Sequence, residues 1–185
     1  MIAAALRFAF RRFGRRYDYD PAYLIDIVDA ETMAGLQLGV ASAFLSQDFG
    51  LPPPVYFAAK ARSTRRADCG SCLRLVIDMA AEKGVTADEL LPIFGKGHAA
   101  PEISLAIAFV DAALDNSPEL LELGAEVERQ FGKTGRIGLA TAVVAGQFYP
   151  TLKRAMGHAN ACEPVLNDFL AKTGRDHESQ AGRHD

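Results

Sequence analysis

The chain has 185 residues, 49% of them hydrophobic and 23% charged, with a formal net charge of −3, values that fit one globular domain with a substantial core. The slight negative charge excludes a protein that coats nucleic acid through a global positive field, and no apolar run approaches the ~20 residues that span a bilayer. Three cysteines are too few for a secreted disulfide framework and point to a reducing, cytoplasmic setting.

Residues 1–19 read as a basic amphipathic N-terminal arm. Arg7, Arg11, Arg12, Arg15 and Arg16 alternate with Leu6, Phe8, Phe10 and Phe13, and no acidic residue precedes Asp18. Such a stretch either packs its phenylalanines on the body or a neighbouring subunit, or lies on an anionic membrane. Residues 20–175 carry a helical pattern throughout. Asp20-Pro21 reads as a helix start, with an N-cap followed by proline at the first helical position. Met33, Leu36, Val40 and Phe44 then recur at spacings of three and four, the mark of one buried helical face. Gly50-Leu51-Pro52-Pro53-Pro54 ends this section, because three prolines cannot continue a helix.

A helix over 55–66 follows, then another over 69–83 that stops at Gly84. Thr86-Ala87-Asp88-Glu89 is a capping box that opens a short helix. Pro101 and Ser117-Pro118 begin helices over 101–115 and 118–131. The apolar segment 135–157 contains Pro150, which is expected to kink or split it. A last helix is expected over 161–171, and a polar, disordered tail over 176–185. No segment alternates as a strand does, and no repeat is present. The expected class is all-α.

Chemistry concentrates in Cys69-Gly70-Ser71-Cys72. Residues three apart on a helix lie one above the other, about 5–6 Å apart between Cβ atoms, so these sulfurs are close enough to open and close a disulfide. A thiol at a helix start meets the positive end of the dipole. Arg65, Arg66 and Arg74 stand close by in sequence, and both influences favour the reactive thiolate. Cys72 shares a face with Val76 and Met79 and reads as the more buried sulfur, leaving Cys69 nearer water and suited to attack. Asp68 and Arg74 are the candidate proton or charge partners. Lys60, Arg62, Arg65 and Arg66 make a basic run that forms either a solvated helix face or a positive rim for an anionic substrate.

Two other readings of the cysteines stay open. His158 and Cys162, four apart, would complete a Cys₃His zinc set with Cys69 and Cys72. Alternatively the thiols are inert core residues. His98 lies in the polar loop Gly95-Lys96-Gly97-His98, either exposed or reaching a cleft as a proton carrier, and His177 and His184 fall in the tail. No phosphate loop, dinucleotide fingerprint or nucleophile elbow is present, so nothing calls for a cofactor.

The run Phe57-Ala58-Ala59-Lys60-Ala61-Arg62-Ser63-Thr64-Arg65-Arg66-Ala67-Asp68 before Cys69-Gly70-Ser71-Cys72, with the continuation 80–90, resembles the alkylhydroperoxidase D-like, carboxymuconolactone decarboxylase superfamily. The likeness is clear over 55–92, weaker over 101–157 and absent before that. It implies a single-domain helical bundle that assembles as a homo-oligomer. It also implies a peroxidase-like thiol–disulfide oxidoreductase, with Cys69 and Cys72 as the redox couple. The oxidant would be a hydroperoxide or a partner protein's disulfide, and a protein reductant would restore the thiols. Three positions depart from the family pattern. Phe57 stands where the family carries a glutamate, Val76 where it carries a histidine, and Ser71 where a histidine is often found. These groups form the family's proton relay, so a family member that binds or scaffolds without peroxidase chemistry is the alternative.

Overall fold

Asp18 and Asp20 bracket the first turn of the chain and decide how its N-terminal section folds. The computed structural model describes residues 1–158. The basic arm is a helix, α1 (Ile2–Tyr17), that ends where Asp18 adopts a left-handed conformation, φ 47°. The Asp20 carboxylate accepts the Ala22 N–H at 2.9 Å and so starts α2 (Ala22–Ala30), one residue later than the Asp-Pro pattern predicts. Glu31 caps α3 (Thr32–Leu45) by accepting the Met33 N–H. These elements pack on one another.

The prolines do what their fixed φ requires. Pro52 is the N-cap and Pro53 the first residue of α4 (Pro53–Arg66), a mostly buried helix that touches α5, α7 and α8. Asp68, at φ 54°, turns the chain into α5 (Gly70–Glu82). Left-handed backbone is tolerated by aspartate better than by most side chains. The capping box forms as expected, with both Thr86 and Glu89 contributing, and opens α6 (Ala87–Leu90). A 3₁₀ turn (Leu91–Phe94), α7 (Pro101–Leu114) and α8 (Leu120–Ala155) complete the described fold. It is all-α, and among the described residues no helix is long and apolar enough to cross a membrane.

Two expectations are corrected. Pro150 neither kinks nor splits the segment 135–157 but lies within continuous helix; the break falls at Gly132, φ 73° and ψ 175°, between the stretches expected over 118–131 and 135–157. Proline removes one backbone bond from a helix, which a packed segment absorbs, whereas the Gly132 conformation is open essentially to glycine alone and cannot be helical. The second correction concerns α3. Met33, Leu36, Val40 and Phe44 are exposed, Val40 at 68%. The helix instead buries Gly35, Leu38 and Leu45. Periodicity marks a face that prefers cover, and it does not say that the same chain provides it. The predicted helix over 161–171, the tail over 176–185 and Cys162 lie outside the described residues.

The main core gathers α4 to α8 around Val55, Phe57, Ala58, Val110 and Leu139. Its tightest seam is α4 against α8. Ser63 Oγ donates to the Val143 carbonyl at 2.7 Å, and Gln147 Nε2 donates to the Ser63 carbonyl at 2.6 Å. A Cβ at Gly146 would stand 2.5 Å from Ser63 Cβ and 2.8 Å from the Thr64 nitrogen. Backbone cannot yield as a flexible side-chain tip does, so Gly146→Ala should cost about 1–3 kcal/mol of stability. Chemical denaturation checks this, and an unchanged midpoint would mean that the seam is looser than its geometry.

Candidate functional site

A second apolar cluster holds the chemistry. Tyr19, Tyr23, Leu24 and Leu38 bury Cys69 and Cys72, with Phe10, Phe13 and Tyr17 of the arm packed against them. The N-terminal section therefore roofs the cysteines, and Phe10 and Phe13 serve the body while Phe8 stays exposed.

Cys69 is the N-cap of α5 and Cys72 lies in its first turn. The two are joined as a disulfide with Cα atoms 5.3 Å apart, inside the range such a bond accepts. Cys72 is the more buried, as its helical face implies, at 4% exposed against 9%. Each sulfur has its own polar neighbours. Cys69 Sγ lies 3.7 Å from Ser71 Oγ, and Ser71 Oγ accepts a hydrogen bond from Lys153 Nζ at 3.1 Å. The buried Lys153 ammonium also sits 5.0 Å above the Tyr19 ring. Cys72 Sγ lies 3.9 Å from the Tyr19 hydroxyl, which donates in turn to Tyr23 at 3.3 Å. Burial raises both tyrosine pKa values, so these phenols stay protonated and able to donate.

The other residues predicted around the thiols take the following places. Asp68 is exposed and shapes the turn, and Arg74 is half-buried on α5. Arg65 and Arg66 do not form a rim for the thiols. Arg66 pairs with Asp111 and Asp115 of α7, and Arg65 donates to the Ile93 carbonyl at 2.7 Å. Arg62 grips both Asp111 oxygens at 2.9 and 2.8 Å. Their charge is spent tying α4 to α7 and the 3₁₀ turn, because α4 turns that face away from α5. His98 is exposed. Among the described residues no three His, Cys, Asp or Glu side chains are gathered to hold a metal. His158 Nε2 sits 2.7 Å from Asp26 Oδ2.

Beside Cys72 lies a cavity of about 350 Å³, lined almost wholly by apolar atoms of α1 to α5 and α8. Cys72, Val76 and Met79 form its α5 wall, and Ala9 and Ser46, both exposed, bring it to the surface. Cys69 is not on the lining. Phe57 is packed in the main core, so the two relay departures differ: Val76 faces the cavity and Phe57 does not. Lys60, one turn along α4 from Phe57, reaches the cavity wall in its place.

Tyr19, Tyr23, Tyr149 and Lys153 were not singled out as site residues by sequence pattern. They come from segments far along the chain, and packing alone brings them together. Of the basic run Lys60, Arg62, Arg65 and Arg66, only Lys60 lines the cavity. No family model matches the chain, and comparisons with curated proteins and with solved structures give no match.

Proposed function

We propose that the protein is a thiol–disulfide oxidoreductase of peroxidase type, working in a reducing compartment such as the cytoplasm, and related to the alkylhydroperoxidase D-like superfamily. One observation carries the reading: of two cysteines paired in a disulfide, Cys72 stands on the wall of a substrate-sized apolar cavity. With both thiols reduced, Cys72 thiolate attacks the outer oxygen of a hydroperoxide ROOH. The O–O bond breaks, Cys72 becomes sulfenic acid, and RO⁻ leaves and takes a proton as ROH. Cys69 thiolate then attacks the Cys72 sulfur, expelling hydroxide, which becomes water. Two thiols and one ROOH yield the disulfide, ROH and water. An external dithiol, supplied by a partner protein, restores the pair.

Tyr19 and Lys153 supply what the family's carboxylate and imidazoles would. The Tyr19 hydroxyl lies 3.9 Å from the Cys72 sulfur, and by turning its one hydrogen from Tyr23 to the cavity it hands a proton to the departing oxygen. Lys153, through Ser71, and the start of α5 favour negative charge on Cys69. The test is stoichiometric: the reduced protein mixed with cumene hydroperoxide should lose two thiols for each peroxide consumed. Unchanged thiols after prolonged exposure would remove the reading. That outcome would leave the alternative, a binding protein without peroxidase chemistry, which the apolar Val76 on the cavity wall favours.

Homo-oligomer formation belongs to the same proposal. The exposed stripe Met33, Leu36, Val40 and Phe44 lies on a helix whose fourteen residues carry no charge. Exposed apolar patches of this kind mark interaction surfaces, and a self-complementary helix face is the simplest two-fold contact. Val40→Glu should shift the protein toward monomer in sedimentation velocity. A wild-type protein already monomeric at tens of micromolar would show that the stripe serves no such contact.

A further inference from the structure

Lys60 is 7% exposed. Its ammonium makes one weak hydrogen bond, to the Tyr56 hydroxyl at 3.4 Å, and sits 5.5 Å above the Tyr56 ring. An ammonium carries three donors. It is also the one charged side chain among the described residues lining the cavity. Buried charges are normally paired, because taking an ion out of water costs several kcal/mol unless an opposite charge repays it. No carboxylate of the described residues does so for Lys60. The other hydroxyls of the cavity direct their hydrogens elsewhere, Tyr149 to Ser42 at 2.8 Å, Ser42 to the Leu38 carbonyl and Thr64 to the Lys60 carbonyl, and among the described residues the Tyr56 hydroxyl alone accepts from the Lys60 ammonium. The cavity thus combines an apolar body with a single under-used cationic donor.

We propose that this cavity binds an amphiphilic monoanion, its carboxylate held by Lys60 and its hydrocarbon body lying along Phe10, Phe13, Leu24 and Leu75 towards Cys72. The ligand supplies the counter-charge that the described residues omit, and its apolar part replaces water along the walls. The proposal deepens the redox reading, and rests on it only in making the hydroperoxide of such an acid the substrate. Burial pulls the Lys60 pKa down to about 8, so at pH 7 the ammonium is largely charged and ready to receive an anion.

Octanoate and 1-octanol separate the charge from the tail. Calorimetric titration of the full-length, disulfide-closed protein at pH 7 should show octanoate binding at least about tenfold tighter than the alcohol. Lys60→Met, which keeps the length and loses the charge, should erase that difference while still binding the alcohol. Retained alcohol binding shows that the variant's cavity is intact. Equal affinity of the two probes for the wild type, no octanoate binding, or full octanoate affinity in Lys60→Met would each overturn the proposal. Because octanoate carries no peroxide and the disulfide stays closed, these outcomes are independent of whether the thiols react with hydroperoxides.

Discussion

Cys72→Ser should reduce the reaction of the reduced protein with cumene hydroperoxide to the background rate of an ordinary thiol. Cys69→Ser should instead keep the first step and stop there. The asymmetry comes from the cavity, whose wall includes Cys72 and excludes Cys69. A peroxide seated there meets one sulfur only, and that sulfur has the Tyr19 hydroxyl 3.9 Å away to assist the leaving oxygen. Positioned proton transfer of this kind is worth about 10²–10⁴-fold, so Tyr19→Phe should slow the step by roughly that range at its lower end. In Cys69→Ser the sulfenic acid on Cys72 has no resolving thiol among the described residues. It should therefore accumulate and be trapped by dimedone as a single adduct visible by mass spectrometry. The reverse result, a trapped sulfenic acid on Cys69 in Cys72→Ser with wild-type kinetics, would show that peroxide reaches the pair from the α5 tip and not from the cavity. Sequence position alone favours that opposite assignment, since Cys69 sits at the helix end. The N-terminal helices roof the site and make the difference.

Local signals and long-range packing contributed unequally to what could be read from the residues. Punctuation was legible because it acts within a few residues: the prolines at 52 to 54, the Thr86–Glu89 capping box and the Cys-x-x-C at the start of α5 all fall where their own stereochemistry places them. The break at Gly132 was legible as a boundary, since the expected helix over 118–131 ends just before it, but its geometry was not: only the φ of 73° shows the turn that joins it to the next helix. The arginines misled for a related reason. Arg65 and Arg66 are neighbours of Cys69 in sequence, but successive residues on a helix point in different directions, and Arg66 points at α7 while Arg65 points at the 3₁₀ turn. Tyr19 lies 53 residues from Cys72, and Lys153 lies 82 residues from Ser71, through which it reaches Cys69. No spacing rule covers such distances. The Cys-x-x-C spacing located the cysteine pair, and the family resemblance named relay positions that are here Phe57 and Val76, whereas the polar groups around the sulfurs come from α8 and the connection after α1.

Lys60→Met should make the protein more stable at neutral pH, and the gain should fade in alkali. Burial alone lowers the Lys60 pKa, from 10.5 to about 8, because a charged ammonium loses its water and gains no counter-ion. The folded state thus binds this proton more weakly than the unfolded chain does. Between about pH 8 and 10.5 the unfolded state holds more protons, so the wild type gains stability as pH rises through that window. Below about 8 the penalty is present in full. At about 1.4 kcal/mol for each tenfold change in proton affinity, it amounts to roughly 3 kcal/mol. Methionine escapes this cost but gives up the contact with the Tyr56 ring, worth about 1 kcal/mol. The expected net gain at pH 7 is therefore about 2 kcal/mol, measured as the difference between urea unfolding curves of variant and wild type. The other titrating groups on the cavity wall do not obscure the comparison. Tyr19, Tyr23 and Tyr149 are all pushed upward by burial, as is Tyr56 beside Lys60, to about 12, with the Asp48 charge adding to it. Cys72 is held in its disulfide. At pH 10 the variant should have lost most of its advantage. An advantage that is constant with pH would place the lysine's effect in packing, and a variant less stable at every pH would mean that the ammonium already has its counter-charge within the folded chain.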